Sequence, residues 1–327
     1  MNKVQVLMST YNGATYIGEQ IESIFNQKGK GINFDISLLV RDDGSSDETV
    51  EIVNYYSNFY PIKIVKDGAS LGFKSSFFKL IELSEHADFY FFSDQDDIWK
   101  ENKVESFIDF FETDIPYLVF SDLELFGNEK GSLYKRMKID NSFLTYKHLL
   151  LSDRVTGASS AINYKAIEII KDSSLSLKEK IDYHDKLIGM LIPFVGGFSY
   201  ISDQLTKYRR HSNNVTIKLV NSTTWMQRRL VALRNPSDAP TIHSIIVKLA
   251  TLVEIKNSLE NTKIEVNKEK MDFLNRMIKF SKRNYIGQII FSFEFFNIVT
   301  SQRTGKNVVV TKLGVFYALL RGTFLAK

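Results

Sequence analysis

The sequence predicts an α/β fold: a mainly parallel sheet flanked by helices, followed by a helical, basic C-terminal region. Three observations carry that reading. Short apolar runs alternate with amphipathic stretches through the first 120 residues, the pattern of βαβ units. Several of these runs stop abruptly in polar or acidic residues, as buried strands do at the edge of a parallel sheet. The net charge of +4 is also unevenly spread. Residues 1–222 carry 25 Lys+Arg against 31 Asp+Glu, while residues 223–327 carry 17 against 7. That asymmetry marks two regions with different electrostatic tasks, 1–222 and 223–327.

The elements follow in order. Residues 3–9 form a short apolar strand ending at Ser9 and Thr10. Ile17, Ile21, Ile24 and Phe25 recur at helical spacing within 15–27. Ile36 to Val40 is a second buried strand, ending at Arg41-Asp42-Asp43-Gly44. Ser45 or Ser46 then caps a helix through residue 57, with Asp47 and Glu48 at its positive end. Residues 62–65 are a third strand, 73–85 a third helix and 88–93 a fourth strand. Further along, 117–120 and 159–163 read as strands, 178–192 as a helix and 198–208 as an extended segment after Gly196-Gly197. From Thr223 the pattern turns almost wholly helical and basic.

Composition narrows the class. Hydrophobic content of 44% and aromatic content of 13% supply a packed core, which argues against global disorder. The absence of cysteine excludes disulfides and thiolate metal sites and fits a reducing cytosol. No leader is expected, because Val4 to Met8 run straight into Ser9-Thr10-Tyr11-Asn12-Gly13. No apolar stretch reaches the roughly 18 residues of a spanning helix.

The most informative stretch is Phe89-Tyr90-Phe91-Phe92-Ser93 followed by Asp94, Asp96 and Asp97. Three carboxylates within four residues repel one another unless a cation or a donor-rich ligand sits beside them. Mg²⁺ and Mn²⁺ take oxygen ligands and bridge carboxylates to substrate phosphates, so the cluster reads as the metal and diphosphate end of a nucleotide site. Ser9, Thr10 and Tyr11 offer hydroxyls and backbone donors beside a helix N-terminus, a seat for phosphate or base and equally a turn with an N-cap. At Asp42-Asp43, a carboxylate can accept the imide N–H of a uracil or thymine ring. A capping turn explains Gly44 and the serines but accounts less well for two adjacent acids. Lys74 is either a phosphate contact or a surface lysine.

Met8-Ser9-Thr10-Tyr11-Asn12-Gly13, Arg41-Asp42-Asp43-Gly44-Ser45-Ser46-Asp47, Leu71-Gly72 and Ser93-Asp94-Gln95-Asp96-Asp97-Ile98-Trp99 resemble successive motifs of family 2 glycosyltransferases with the GT-A fold, a Rossmann-like sheet. The Asp-Gln-Asp-Asp-Ile-Trp form is similar to bacterial rhamnosyltransferases of cell-wall and capsular polysaccharide synthesis. Thr156-Gly157, His184-Asp185 and the run from Tyr208 to Asn214 resemble that subgroup too, so the likeness spans about residues 3–216. The resemblance implies that Ser9, Thr10 and Tyr11 line the nucleotide pocket and that Asp43 holds the base. It further implies that Asp94 approaches the ribose or a metal-bound water, that Asp96 ligates the metal, and that Asp185 is the base of an inverting reaction. The implied cofactor is a divalent metal, Mg²⁺ or Mn²⁺. The implied partners are a nucleotide-sugar donor, with dTDP-rhamnose the best guess, and a glycan or polyprenyl-linked acceptor.

The residues themselves are compatible with these roles. A sugar hydroxyl that attacks needs a carboxylate or imidazole within reach of its proton. Asp182 and Asp185 share one face of the expected helix, so Asp182 is a rival base, and His184 is an acceptor-side candidate. His211 is either a metal ligand or a surface histidine. Arg209 and Arg210 beside it suit a diphosphate clamp. Trp99 either packs under the acidic loop or forms a wall for the acceptor sugar.

The tail mixes Arg228, Arg229, Arg234, Lys279, Lys282, Arg283, Arg321 and Lys327 with apolar groups such as Ile289 to Phe291 and Val315 to Leu320. Such helices suit an anionic membrane surface, packing on the catalytic domain or a homodimer contact. No nucleic-acid motif accompanies the charge, so nucleic acid is not an expected partner. The expected location is cytoplasmic, with the tail on the inner face of the plasma membrane as the peripheral alternative. The rival functions are the same reaction with a UDP-hexose donor, a nucleotidyltransferase lacking its usual lysine near strand one, and a non-catalytic nucleotide-binding subunit of a glycan-assembly complex.

Overall fold

The structure is a computed structural model that describes residues 1–67, 70–137, 139–141, 144–181, 183–211, 240–262, 264–281 and 298. The chain divides into two compact units. The first comprises Met1–Arg136 with Asp153–Arg210, and the second Met137–Ser152 with His211–Lys327. The expected boundary at 222/223 falls outside the described residues, as do Arg228, Arg229, Arg234, Lys282, Arg283, Arg321, Lys327 and the apolar runs near 290 and 317.

The first unit opens as predicted. Strands β1 (Asn2–Thr10), β2 (Phe34–Asp42), β3 (Ile62–Val65) and β4 (Phe89–Ser93) alternate with α1 (Ile17–Phe25), α2 (Thr49–Tyr56) and α3 (Gly72–Leu83). They pair in parallel in the order β3-β2-β1-β4. All five residues of β4 are buried, which is why the run carries no polar residue until Ser93. Val4, Val6 and Met8 face a core with Ile17, Ile21, Ile24 and Phe91, while Phe92 points to the other face and meets Phe77 of α3. Truncating a ring such as Phe91 to alanine would cost about 3–5 kcal/mol.

Beyond β4 the sheet stays mainly parallel but gains short antiparallel pairings. The chain continues through β5 (Ile98–Trp99), α4 (Lys103–Ile108), β6 (Tyr117–Gly127), β7 (Gly131–Ser132) and α5 (Leu133–Arg136). A 3₁₀ turn at Gly157–Ser159 then leads into β8 (Ser160–Asn163), which inserts between β4 and β6 and is antiparallel to both. After it come α7 (Tyr164–Asp172), α8 (Leu175–Lys180), α9 (His184–Val195) and β9 (Gly197–Arg210). β9 runs parallel to β6 and pairs antiparallel with β5, giving a mixed nine-stranded sheet among the described residues. Because β8 enters from the far side, its preceding turn lies at the end of the sheet where β1, β2 and β4 finish.

The helix expected over 178–192 is two helices. Ile181 (φ −96°, ψ 136°) and Tyr183 (φ −144°, ψ 147°) are extended between α8 and α9. Asp185 therefore sits in the first turn of α9, and the rival base Asp182 lies outside the described residues.

The second unit contains α6 (Tyr146–Leu151), α10 (Pro240–Thr262) and α11 (Lys268–Ser281). Leu252, Ile255 and Leu259 on α10 and Phe273, Leu274 and Met277 on α11 are buried at helical spacing, and Tyr146 meets Phe273 edge-on. Among the described residues no helix is long and apolar enough to cross a membrane.

Candidate functional site

The ends of β1 and β2 form one cross-linked platform. Asn12 adopts a left-handed conformation (φ 48°), which asparagine tolerates better than most side chains. Its N–H donates to Ser45 Oγ at 2.8 Å, and its Oδ1 accepts from the Ser46 N–H at 2.9 Å. The Ala14 N–H reaches Asp47 Oδ2 at 3.0 Å. Asp42 accepts from the Gly44 and Ser45 N–H groups and from Ser45 Oγ, forming a capping turn.

Asp43 is committed inward. Its Oδ1 accepts from Arg41 Nη1 (2.7 Å) and the Leu71 N–H (2.6 Å), and its Oδ2 from the Gly72 N–H (2.8 Å). Gly72, with φ of +74°, adopts a conformation disfavoured for other residues as it presents that N–H at the start of α3. Arg41 is fully buried and also binds Asp67 through two nitrogens and Ser76 Oγ. Burial alone would raise the Asp43 pKa, but Arg41 and the two amides outweigh it and hold the carboxyl below its ordinary range. Ser9 Oγ joins the same network by donating to Ser76 Oγ at 2.8 Å. Lys74 Nζ donates to the Glu179 carbonyl at 2.7 Å.

Gln95 ties this platform to β4. Its Oε1 accepts from Thr10 Oγ1 (2.6 Å) and the Tyr11 N–H (2.9 Å), and its Nε2 donates to the Tyr11 carbonyl (3.0 Å). The Tyr11 ring is 56% exposed, so it can lie against a ligand.

The acidic corner behaves differently. Asp94 and Asp97 are both pushed above the ordinary carboxyl range, chiefly by burial; the charges of Asp96 and Asp185 add to the rise at Asp94, and those of Asp94 and Asp96 to the rise at Asp97. Asp97 Oδ1 accepts from the Arg209 N–H at 2.9 Å, whereas its buried Oδ2 has no hydrogen-bond partner among the described residues. Lys103 is wholly buried, donates to the Ala158 carbonyl at 2.9 Å and lies 3.8 Å from the Trp99 ring centroid. Burial lowers its pKa, opposed by Asp97 and Asp94. Trp99 is 3% exposed, which places it beneath the acidic loop rather than on an open surface.

Arg209 latches that loop. Its Nε donates to the Asp96 carbonyl (2.8 Å), its Nη2 pairs with Glu19 (2.5 Å), and its guanidinium lies over Tyr16 and Phe126. Arg210 pairs with Glu129 at 3.2 Å. His211 belongs to the second unit, and Ser212, Asn213 and Asn214 lie outside the described residues.

Asp185 closes the site from α9. Its Oδ2 accepts from the Gly157 N–H at 3.0 Å and its Oδ1 from the Lys186 N–H at 2.7 Å. Burial pushes its pKa up to about 6, with Asp153 adding to the rise and the two amides opposing it. His184 is buried and stacked on Phe77 at 3.8 Å, with neither ring nitrogen hydrogen-bonded among the described residues. Burial drives its pKa down to about 3, so the ring is neutral.

The structure thus gathers Ser9, Thr10, Tyr11, Asp42, Asp94, Asp96 and Asp185 at one end of the sheet, and turns Asp43, Trp99 and His184 inward. Reasoning from sequence placed Arg41, Gln95 and Gly157 in motifs without giving them a role, and missed Lys103. Lys103 carried one signal, a spacing of four from Trp99, which suits a cation held over the indole ring.

Among the described residues no three acidic or histidine side chains form a ready-made metal cage. The acidic corner still fits a divalent ion, because the buried Asp97 Oδ2 has no hydrogen-bond partner among the described residues and Asp94 and Asp96 lie close enough to raise the Asp97 pKa. Magnesium commonly takes one or two carboxylates and completes its shell with substrate phosphates.

The dTDP-rhamnosyl transferase RfbG of Shigella flexneri is 39% identical over 107 residues, which is 31% of this chain and 36% of that protein, so the match spans about a third of its length. Residues 1–349 of Staphylococcus aureus TarS, solved with UDP-GlcNAc, superpose with a TM-score of 0.52 at 16% identity, covering 98% of this chain and 90% of that one. The mannosyltransferase PcManGT of Pyrobaculum calidifontis, solved with GDP-Man and Mn²⁺, gives 0.52 at 13% identity over 100% and 88%. These likenesses show a shared fold, that of GT-A glycosyltransferases. Residues 5–168 match the family model described as Glycosyl transferase family 2, and that span takes in the β1, β2 and β4 ends and the Gly157 turn. The chain belongs to glycosyltransferase family 2.

Proposed function

We propose that the protein is an inverting, metal-dependent glycosyltransferase. It moves L-rhamnose from dTDP-rhamnose to a hydroxyl of a growing, lipid-linked cell-surface glycan. The single observation that carries the reading is the Asp185 carboxylate, held by two backbone N–H groups and close enough to Asp94 to raise its pKa. A pKa of about 6 leaves Asp185 ionised at neutral pH yet basic enough to take a proton.

The acceptor oxygen bonds to the anomeric carbon as the bond from that carbon to the diphosphate oxygen breaks. The acceptor proton passes to Asp185, and the nucleotide diphosphate leaves with the electron pair. Inversion of a β-linked donor yields an α-rhamnoside. Ser9, Thr10, Tyr11 and Asp42 seat the nucleotide. Asp43 supports that seat through Arg41 and the start of α3, and Asp94 lies on the ribose side. Asp96 would hold the metal, which would supply Lewis-acid neutralisation of the leaving diphosphate. Lys74, Arg209 and Arg210 line the diphosphate side.

The rhamnose assignment is supported by RfbG, whose name states that donor. The fold shared with UDP-GlcNAc-bound TarS favours a second reading, the same reaction with a UDP-hexose donor. The excess of cations past residue 223 suits an anionic membrane surface on the cytoplasmic side, where a polyprenyl-linked acceptor would be found; a homodimer contact is the other use of that region.

A donor panel tests the reading. Purified protein with Mn²⁺ and a polyprenyl-linked acceptor is offered dTDP-rhamnose, UDP-glucose, UDP-galactose and UDP-N-acetylhexosamines. Transfer from dTDP-rhamnose is expected. Turnover confined to a UDP sugar would replace the donor, and nucleotide binding without transfer to any acceptor would favour a non-catalytic subunit.

A further inference from the structure

We propose that Gly157 is a positioning residue for Asp185: without a side chain there, the His184 ring seats against the turn and the Gly157 N–H holds the carboxylate. The inference rests on Asp185 being the base. It adds the element that fixes where that base points.

Three contacts meet at one small surface. The Gly157 N–H donates to Asp185 Oδ2 at 3.0 Å. A Cβ built on Gly157 would lie 2.7 Å from His184 Nε2, 3.0 Å from its Cε1 and 3.7 Å from Asp185 Cβ. The ring cannot retreat cheaply, because it is 4% exposed, stacks on Phe77 at 3.8 Å and packs against Phe92 at 5.1 Å. An added methyl group must therefore push the turn or the start of α9, and either movement lengthens the N–H···O contact.

The unpartnered nitrogens of His184 support the same reading. A buried imidazole without hydrogen bonds contributes shape rather than proton chemistry, and here its shape fills the space beside the glycine. The turn also serves the acidic corner, since the Ala158 carbonyl accepts from Lys103, whose amine lies near enough to Asp94 and Asp97 to interact with them. One short turn thus braces both the proposed base and the buried lysine beside the strand-four acids.

Steady-state kinetics of the full chain test this. Gly157→Ala is expected to lower kcat at least tenfold while KM for the donor stays within about twofold. The acid limb of the kcat profile should move to higher pH, because weakening an N–H bond to a carboxylate favours its protonated form. The groups facing Asp185 are Asp153, Asp94, the Tyr134 phenol and the Lys186 N–H, and none of them is altered. The double variant Gly157→Ala with His184→Ala should recover activity relative to Gly157→Ala, because the clash is relieved. Should Gly157→Ala not fold, His184→Ala is read instead: kcat should fall with KM retained, and His184→Phe should restore most of it. An unshifted acid limb with wild-type kcat in Gly157→Ala would overturn the proposal. So would His184→Phe behaving no better than His184→Ala. Near-wild-type turnover in Asp185→Asn would instead remove the base assignment, a separate failure.

Discussion

The two halves of the site are built on opposite principles. At the ends of β1 and β2 nearly every polar group is answered by another: Asp43 takes Arg41 and two amides, Asn12 is bonded to Ser45 and Ser46, and Gln95 binds Thr10 and Tyr11. On the neighbouring elements, Asp97 and His184 keep buried polar atoms without partners among the described residues, and Asp94, Asp97 and Asp185 are held above their ordinary pKa. The first half is set before any ligand arrives. The second stores electrostatic cost that bound charge would relieve, which is where displacement chemistry needs it. A preformed seat and a frustrated corner are different solutions because, on the proposed function, one only holds a nucleotide while the other changes protonation during turnover.

The comparison breaks most visibly at Asp185. Asp185→Asn should lower kcat by about 10²–10⁴, the usual contribution of a positioned base. Nucleotide affinity by calorimetry should stay near wild type, because the seat lies on other elements. Turnover close to wild type would show that the frustrated corner is not where the proton goes.

Buried charge should respond with opposite signs in the two halves. Arg41→Met strands Asp43 and weakens the hold on Asp67, so unfolding free energy should drop by about 3–5 kcal/mol. Asp97→Asn should do the reverse, adding on the order of 1 kcal/mol in chemical denaturation without metal. The sign follows from linkage. A carboxyl whose folded pKa is raised weakens the fold as pH climbs above its unfolded value, so the gain should be larger at pH 8 than at pH 5. Destabilisation by both variants would erase the distinction.

Gln95→Ala probes the joint between the halves. It removes three hydrogen bonds linking β1 to the acidic loop. At about 1 kcal/mol net for such a bond in mutational series, about 3 kcal/mol of bracing is lost, and if about half of it falls on the bound state the nucleotide Kd weakens roughly tenfold. No change would mean that the β1 loop keeps its shape without the brace.

The seat was largely legible in the sequence, and the corner only in part. Apolar runs ending in Ser9-Thr10, Asp42-Asp43 and Asp94 to Asp97 announce strand ends, because burial demands apolar strands and ligands demand polar termini. What composition does not encode is direction. Residues 159–163 were readable as a strand, but nothing in Ser160-Ala161-Ile162-Asn163 says that it runs antiparallel to β4 and carries the Gly157 turn to the site. The break between α8 and α9 was hidden too, since Ile181 and Tyr183 fit a helical spacing as well as an extended one. Asp185 was reached through motif resemblance rather than through any pattern in its own neighbourhood. Inward-facing roles were the hardest to see: Asp43 and Arg41 are adjacent to the seat in sequence, yet only geometry shows that the carboxylate is taken up by the protein's own donors.

The smallest effect sharpens what frustration means at His184. A folded pKa near 3 against an unfolded value near 6.5 means that the folded ring resists protonation. Its contribution is fully present above pH 6.5 and is lost as pH falls toward 3, because the unfolded chain gains the proton first. At pH 5.5 the wild type should have lost ~1.4 kcal/mol from this residue relative to pH 7.5. His184→Phe keeps the stacked ring against Phe77 and removes the titration, so its unfolding free energy should fall by that much less over the same interval. Denaturant titrations at the two pH values measure the difference directly. Parallel pH dependence in both proteins would mean that the imidazole finds a partner for its proton in the fold, and the corner would then be less strained at this position than its unpaired nitrogens imply.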